Sequence, residues 1–215
     1  MKIYFDGCSY TDGKYLGGRR HGIVDWKKKR WSKILANKLG AEEYNFALSG
    51  GSNDRIVRNL LVNNNIEEYD LAIIQMTFPV RTEYWDDKWI KVNPKYNFAS
   101  KSITSVVCKE DEKIVDHVNY WMHYYKHIHN EYYSQIKEDI QYQTIRNHCK
   151  VHNVPLVLIS NSKGWRSNKK KLPFDMMITN DIYDRISSTD SHPSLDAHSK
   201  IADDIINFIN ITSVL

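Results

Sequence analysis

The sequence predicts an α/β fold, a three-layer α/β/α sandwich in which helices cover both faces of a central, mostly parallel sheet. Short apolar segments of strand length alternate along the chain with segments whose apolar residues recur at helical spacing. Two segments, LAIIQM at 71–76 and VPLVLIS at 154–160, are continuously apolar, which is typical of strands buried on both faces. Strands that alternate with helices form parallel sheets, because the crossover helices pack against the sheet.

The other predicted elements follow in the same alternating order. Strands are predicted at 2–5, 43–47, 71–76 and 154–160. Helices are predicted at 26–39, 54–63, 114–152 and 194–209. The segment 114–152 is long enough for one long helix or two, and Gly40 provides a C-cap for the first helix. Polar loops follow the first three strands, at one end of the predicted sheet.

The domain organisation follows from the length of 215 residues, which fits one large domain spanning 1–215. Two segments do not fit the alternating pattern, and we predict irregular insertions at about 77–113 and 161–190. The first is too long for a plain connection, which suggests a functional loop region or a lid.

Composition indicates a globular protein with a mild net charge of +4. Two lysine clusters, WKKKRW at 26–31 and KKK at 169–171, are interpreted as solvated surface, and no nucleic-acid partner is expected. The three cysteines, Cys8, Cys108 and Cys149, have no metal-ligand spacing and indicate free thiols in a reducing compartment.

No segment resembles a membrane span or a signal peptide. No apolar run approaches the ~20 residues that a membrane span needs. The first apolar residues already belong to a predicted strand. We therefore expect a cytoplasmic protein without a membrane partner, and the sequence leaves its oligomeric state open.

The candidate nucleophile lies in DGCSYTDG at 6–13, directly after the first strand. A serine in a turn at this place presents its hydroxyl at the carboxyl end of the sheet, where open α/β sheets bind ligands. Ser9 needs a base, and His192 in TDSHPS is the best candidate. Asp190 precedes it by two residues, so in an extended segment both side chains point the same way and Asp190 can orient the imidazole. A capping or surface role for His192 is the alternative.

The loop after the second strand contains Gly50 and Gly51. A glycine there lets a backbone N–H approach a ligand closely, so Gly50 and the N–H of Ser9 are candidate oxyanion donors. A tight turn before the next helix is the alternative interpretation.

Three motifs together resemble the SGNH (GDSL-type) hydrolases, and the resemblance covers nearly the whole chain. GCSYT at 7–11 resembles the first block, G-D-S-L-T, with Ser9 as nucleophile and Cys8 in place of Asp. NFALSGG at 45–51 resembles N-x-G-x-x-G, with Gly50 as the oxyanion glycine and Ala47 in place of the earlier glycine.

The last block places the base of the family on His192. DSHPSLDAHSKIADDI at 190–205 resembles D-x-x-H-P before a helix, with the acid, Asp190, one residue closer than usual and Thr189 in the family's acid position. The resemblance implies a flavodoxin-like SGNH hydrolase fold and a Ser-His-Asp site that needs no metal and no organic cofactor.

The third block is the main departure from the family. The family has G-x-N-D after the third strand, and its Asn is the third oxyanion donor. This chain has QMTFPVRTE at 75–83, so Thr77 or Arg81 is the expected substitute. Losing one such donor costs ~10²–10³ in rate.

The resemblance implies a serine esterase or deacylase that hydrolyses an ester, such as an O-acyl group on a carbohydrate. Arg81, Tyr84 and Trp85 follow the third strand and are candidate substrate-binding residues; core or lid packing is the alternative for the aromatic pair. Two other functions stay open: an acyltransferase on the same scaffold, and a catalytically weak glycan-binding module.

Three further residue groups are weaker candidates. Cys8 is a possible nucleophile, but neighbouring side chains at a strand end point in opposite directions. His123 and His127 are spaced for a metal pair, yet a solvated helix face is the better interpretation without H-E-x-x-H. His198 is expected on the surface of the last helix.

Overall fold

A computed structural model of the protein describes eight segments of the chain: 1–17, 22–97, 102–110, 113–114, 118–160, 175–177, 183–187 and 190–212. The described strands are β1 (Lys2–Asp6), β2 (Glu42–Asn45), β3 (Leu71–Met76), β4 (Thr82–Trp85), β5 (Trp89–Asn97), β6 (Ser102–Glu110), β7 (Lys113–Ile114), β8 (Leu156–Ser160), β9 (Met176–Met177), β10 (Arg185–Ser187) and β11 (Asp190–Pro193). The described α-helices are α1 (Ser9–Asp12), α2 (Trp31–Lys38), α3 (Asn53–Arg58), α4 (Val118–His127), α5 (Glu131–Val151) and α6 (Leu195–Thr212).

The central sheet has five strands in the order β2-β1-β3-β8-β9, and every neighbouring pair is parallel. The chain adds β2 on one side of β1 and β3 on the other. This reversal creates a crevice at the carboxyl ends of β1 and β3, the position at which doubly wound sheets bind ligands. Ser9 follows β1 directly and therefore lies at this crevice.

Helices cover both faces of the central sheet, as predicted. On one face, Ile3 and Phe5 of β1 pack with side chains of α2 and α6, such as Leu35 and Ile201. The alternate residue of β1, Tyr4, points to the other face, where α3 and α5 pack. The three-layer α/β/α sandwich is confirmed.

The region 77–113 differs from the prediction, because most of it is regular rather than irregular. Strands β4 to β7 form a four-stranded antiparallel sheet. Its signal is present in the sequence: in IKVN at 90–93, apolar and polar residues alternate with the period of a strand. The apolar face of this sheet packs on α4, with Ile90, Val92 and Tyr125 in one buried cluster.

The helical predictions hold with shifted boundaries. The segment 114–152 contains two helices, α4 and α5, and the Asn130 side chain caps the second by accepting from the Tyr133 N–H. The first predicted helix starts later, at Trp31, after a short 3₁₀ turn at Trp26–Lys28. Helix α3 continues into a π-helical turn at Asn59–Asn63. Most of the predicted insertion at 161–190 lies outside the described residues.

Cys8, Cys108 and Cys149 are buried in the structure, and each is a free thiol. None of the helices in the described part of the chain combines the length and the hydropathy that a membrane span requires.

Candidate active site

The turn after β1 presents Ser9 at the crevice. Cys8 is the residue before α1, and Ser9 is the first residue of that helix. Gly7 is required by close packing, since a Cβ there would lie 2.5 Å from Thr11 Oγ1. Cys8 points away from the crevice into the core below the sheet. The nucleophile position therefore exposes a hydroxyl and buries the thiol.

The base candidate comes from the other end of the chain. His192 lies on β11, which pairs with β10 in a short antiparallel hairpin. The side chain of Ser194 accepts from the Ala197 N–H and so caps the first turn of α6 directly after this hairpin. His192 Nε2 lies 2.9 Å from Ser9 Oγ, which is hydrogen-bonding distance. The two residues are 183 positions apart in the sequence.

The acid candidate, Asp190, is on the same strand as His192. Its backbone pairs with Ser187 across the hairpin. The side chain of Asp190 and the whole of Thr189 lie outside the described residues. The role of Asp190 therefore stays a prediction.

The buried His198 and the partly buried Tyr15 form a hydrogen-bonded pair next to His192, and the sequence analysis selected neither as a site residue. The Trp31 N–H donates to His198 Nδ1 at 3.0 Å. The other ring nitrogen, Nε2, therefore carries the proton of the neutral imidazole and donates to the Tyr15 hydroxyl at 2.6 Å. The Tyr15 hydroxyl donates in turn to the Pro193 carbonyl, 3.1 Å away.

The prediction that His198 lies on the surface is wrong, because its side chain is fully buried. Burial, and to a smaller extent the nearby imidazole of His192, lowers the pKa of His198 to about 3. The sequence position of His198 on α6 indicates its burial. His198 lies one turn before Ala202 and three positions before Ile201, so it is on the buried face of an amphipathic helix.

The loop after β2 places Gly50 beside Ser9. Gly50 has φ of 74°, a left-handed conformation that favours glycine. Asp12 Oδ2 accepts from both the N–H and the hydroxyl of Ser49, at 3.2 and 2.6 Å, and fixes the loop. Neither the Ser9 N–H nor the Gly50 N–H has a hydrogen-bond acceptor among the described residues. Both donors remain available to a ligand.

A buried ion pair ties the two loops together. Arg55 of α3 is bonded to Asp6, at the end of β1, and both side chains are almost completely buried. The same guanidinium donates to the carbonyls of Gly7 and Phe46, at 3.0 and 2.9 Å. The nucleophile turn and the loop of Gly50 are therefore held by one cation. Burial raises the pKa of Asp6 above its usual range, and Arg55 opposes this shift.

The crevice has a volume of about 550 Å³, which suits a small-molecule ligand. Ser9, His192 and Gly50 line it together, as does Arg81. The described lining is completed by Lys14, Tyr15, Ser49, Lys91, Asn93, Pro94, Lys95, Val107 and Lys109.

The other predicted site residues lie elsewhere. Thr77 is buried, its N–H donates to Asn53 Oδ1 at 2.7 Å, and its hydroxyl accepts from Arg81 at 2.8 Å. Tyr84 packs against Trp121 beside the apolar face of the antiparallel sheet. Trp85 is largely exposed and contacts Trp89 edge to face. These three residues are not among the lining residues of the crevice.

The antiparallel sheet instead contributes residues that the sequence analysis did not select. Asn93 of β5 lies against the loop of Gly50, and its Nδ2 is 3.3 Å from the position that a Cβ on Gly50 would occupy. Asn93 Oδ1 is buried without a hydrogen-bond partner among the described residues. The alternating pattern of β5 predicts a strand, but which of its faces meets the crevice depends on tertiary packing.

Comparison with known proteins finds similarity in structure but not in sequence. No protein-family model matches the chain, and no curated protein matches it. The chain is similar to the esterase EstA from Pseudoalteromonas sp., with 12% identity and a TM-score of 0.51 over 97% of this chain and 96% of that one.

Two further solved structures are similar over nearly the whole chain. A protein of Desulfitobacterium hafniense DCB-2, assigned to the lipolytic G-D-S-L family, has 10% identity and a TM-score of 0.51 over 96% of this chain and 98% of that one. A family two carbohydrate esterase from Clostridium thermocellum, in complex with cellohexaose, has 12% identity and a TM-score of 0.51, and covers 100% of this chain but 65% of that one. The chain therefore has the SGNH (GDSL-type) hydrolase fold that its sequence motifs imply.

Proposed function

We propose that the protein is a serine ester hydrolase with Ser9 as nucleophile and His192 as general base. The observation that carries the proposal is the distance of 2.9 Å between Ser9 Oγ and His192 Nε2 at the edge of the crevice. A base at this distance can accept the hydroxyl proton as the oxygen attacks a carbonyl carbon.

The reaction follows from these two groups. Ser9 Oγ attacks the ester carbonyl while its proton passes to His192 Nε2, and a tetrahedral oxyanion forms. The carbon–oxygen bond to the leaving alcohol then breaks as His192 returns the proton to that oxygen. Water attacks the acyl group on Ser9 by the same route, which releases the acid and restores the serine.

The oxyanion is held by the backbone N–H groups of Ser9 and Gly50, as the sequence motifs imply. Thr77 is a poor third donor, since its N–H already donates to Asn53. The side-chain amide of Asn93 is a better candidate, because Asn93 lines the crevice and its Nδ2, the donor atom, adjoins Gly50. Asn93 would thus supply from the antiparallel sheet the amide that the family supplies after its third strand.

Two groups are available to orient His192. Asp190 on the same strand is the proposed acid of the triad. Tyr15 adds a second restraint, since its ring packs against the imidazole and its hydroxyl is held by His198 and the Pro193 carbonyl.

The substrate proposed from the sequence is a small acyl group on a polar alcohol such as a carbohydrate. Arg81 supports a polar substrate, because it lines the same crevice as Ser9. The similarity to a carbohydrate esterase that binds cellohexaose is in keeping with this class.

The proposal is tested by labelling with a fluorophosphonate probe and by turnover of a short-chain aryl acetate. We expect both in the wild type and neither in Ser9→Ala or His192→Ala. Ser199→Ala, which changes an exposed serine of α6, is the matched control and should behave as the wild type. A wild type that neither labels nor turns over would refute the hydrolase. If added alcohols capture most of the acyl group in place of water, the enzyme is an acyltransferase.

A further inference from the structure

The wall of the crevice opposite Ser9 is one face of the antiparallel sheet. On β5, the alternate residues Lys91, Asn93 and Lys95 line the crevice. The two residues that flank Lys91, Ile90 and Val92, point to the other face and are buried in the apolar cluster on α4. Side chains of a strand alternate between its faces, so the sheet presents apolar residues to its own core and lysines to the crevice.

The lysines on this wall lie close to one another. Lys91 of β5 is directly opposite Lys109 of β6 in the antiparallel register. Like charges placed opposite each other destabilise a sheet. Lys91 is moreover 7% exposed, so little water screens its charge. On its other side Lys91 faces Glu83, whose carboxylate also accepts two hydrogen bonds from Arg58, at 2.7 and 3.1 Å.

The remaining walls add further positive charge. Lys14, after the nucleophile turn, and Arg81, after β3, line the same crevice. Together with Lys91, Lys95 and Lys109 they make five cationic residues around Ser9 and His192, and the described lining contains no Asp or Glu. A cleft lined by one sign of charge concentrates ligands of the opposite sign.

We propose that the crevice recognises esters that carry an anionic group, such as a phosphate, sulfonate or carboxylate, apart from the scissile bond. This inference rests on the proposed hydrolase function and narrows its substrate class. The ester itself reacts as described above, and the anionic group is unchanged by the reaction. The cationic residues of the lining attract such a group. A neutral O-acyl ester lacks this stabilisation.

The test compares matched esters that differ in charge. In the first arm the charge is on the alcohol, with 3-acetoxybenzenesulfonate against neutral 3-acetoxybenzamide. In the second arm it is on the acyl group, with the 4-nitrophenyl ester of 4-sulfobutyrate against that of butyrate. We expect kcat/KM to favour the charged ester by about tenfold or more in at least one arm at low salt. The preference should shrink when salt rises to about 0.5 M.

Substitutions of lysines in this wall test whether these residues cause the preference for charged esters. Lys95→Gln combined with Lys109→Gln should reduce the charged-to-neutral ratio of kcat/KM by about tenfold. Lys29→Gln removes an exposed lysine outside the crevice lining and should leave the ratio unchanged. Equal turnover of charged and neutral esters in both arms would overturn the inference and leave the hydrolase intact.

Binding of an anionic ligand can be measured without catalysis, so it tests the anion preference independently of the proposed reaction. The binding of the charged reaction product to Ser9→Ala is measured by calorimetry. We expect 3-hydroxybenzenesulfonate to bind if the first arm shows the preference, and 4-sulfobutyrate to bind if the second arm shows it. Adding Lys95→Gln and Lys109→Gln to Ser9→Ala should weaken that binding about tenfold. If no ester is hydrolysed, the hydrolase is refuted, and binding of these two anions then decides alone whether the crevice is an anion site.

Discussion

The phenol ring of Tyr15 lies over the imidazole of His192, with ring centroids 4.1 Å apart and planes inclined by 33°. The far end of Tyr15 is fixed by His198 and by the carbonyl of Pro193. The proposed base is therefore restrained from two directions, by this ring and by the strand that carries it. Tyr15 acts through His192 and is a positioning residue.

Tyr15→Ala should lower kcat by about tenfold, because the imidazole loses the surface that holds it near Ser9. Tyr15→Phe keeps the ring and loses only the hydroxyl, so it should retain most of kcat while losing about 1 kcal/mol of folding free energy. Kinetics on a neutral aryl acetate and denaturant unfolding measure the two effects. Equal kcat in the Ala and Phe variants would show that the ring does not position His192.

Asn93→Ala should lower kcat by ~10²–10³ if its amide stabilises the oxyanion, with a smaller change in KM. Asn93→Asp should do the same, since a carboxylate cannot donate to an oxyanion. Asn37→Ala, on the exposed surface of α2, is the matched control. If Asn93→Ala kept the kcat of the wild type, Asn93 would not be an oxyanion donor, and that role would remain with the N–H groups of Ser9 and Gly50.

His198 makes folding stability depend on pH. Burial lowers the pKa of His198 in the folded state to about 3, below the 6.5 of the ordinary side chain. The unfolded chain therefore binds a proton that the folded chain excludes, and the stabilisation present above pH 6.5 is lost as the pH falls towards 3. The slope is about 1.4 kcal/mol per pH unit for one such group.

His198→Asn should remove this contribution and flatten the pH dependence of the unfolding free energy, because Asn can still accept from the Trp31 N–H but does not titrate. Urea unfolding of both proteins across this pH range measures the difference. Parallel curves for the two proteins would mean that the pKa of His198 is the same in the folded and the unfolded chain.

Arg55→Met should destabilise the protein by about 3–5 kcal/mol, since it leaves the fully buried carboxylate of Asp6 without its cation. The double variant with Asp6→Asn should recover part of that loss. Lys38→Met breaks an ion pair whose two side chains are about half exposed, and should cost at most ~1 kcal/mol. Denaturant unfolding distinguishes the buried pair from the exposed one, and similar losses for both would contradict the role given to Arg55.

The parts of the molecule that could be predicted from sequence are those set by local pattern. The continuous apolar run at 71–76 gives β3 with its observed limits, and the strand-turn-serine sequence places Ser9 at the sheet edge. The proximity of Ser9 and His192 was predicted from the resemblance to SGNH hydrolases, since His192 lies on an antiparallel hairpin and not at the end of a parallel strand.

The parts that could not be predicted depend on long-range packing. The alternation in β5 is visible in the sequence, but nothing local shows that Lys91, Asn93 and Lys95 face the nucleophile. The helical spacing of His198 indicates burial, but nothing local predicts its hydrogen bonds with Trp31 and Tyr15, which lie far away in the sequence.

The antiparallel sheet has an apolar cluster of its own on α4, separate from the two clusters that flank the central sheet. The proposed nucleophile and base belong to the central sandwich, whereas the lysines and Asn93, the proposed oxyanion donor, belong to this added unit. Replacing the lysines on one face of β5 and β6 can therefore change which ligands the crevice accepts, while Ser9 and His192 keep their positions.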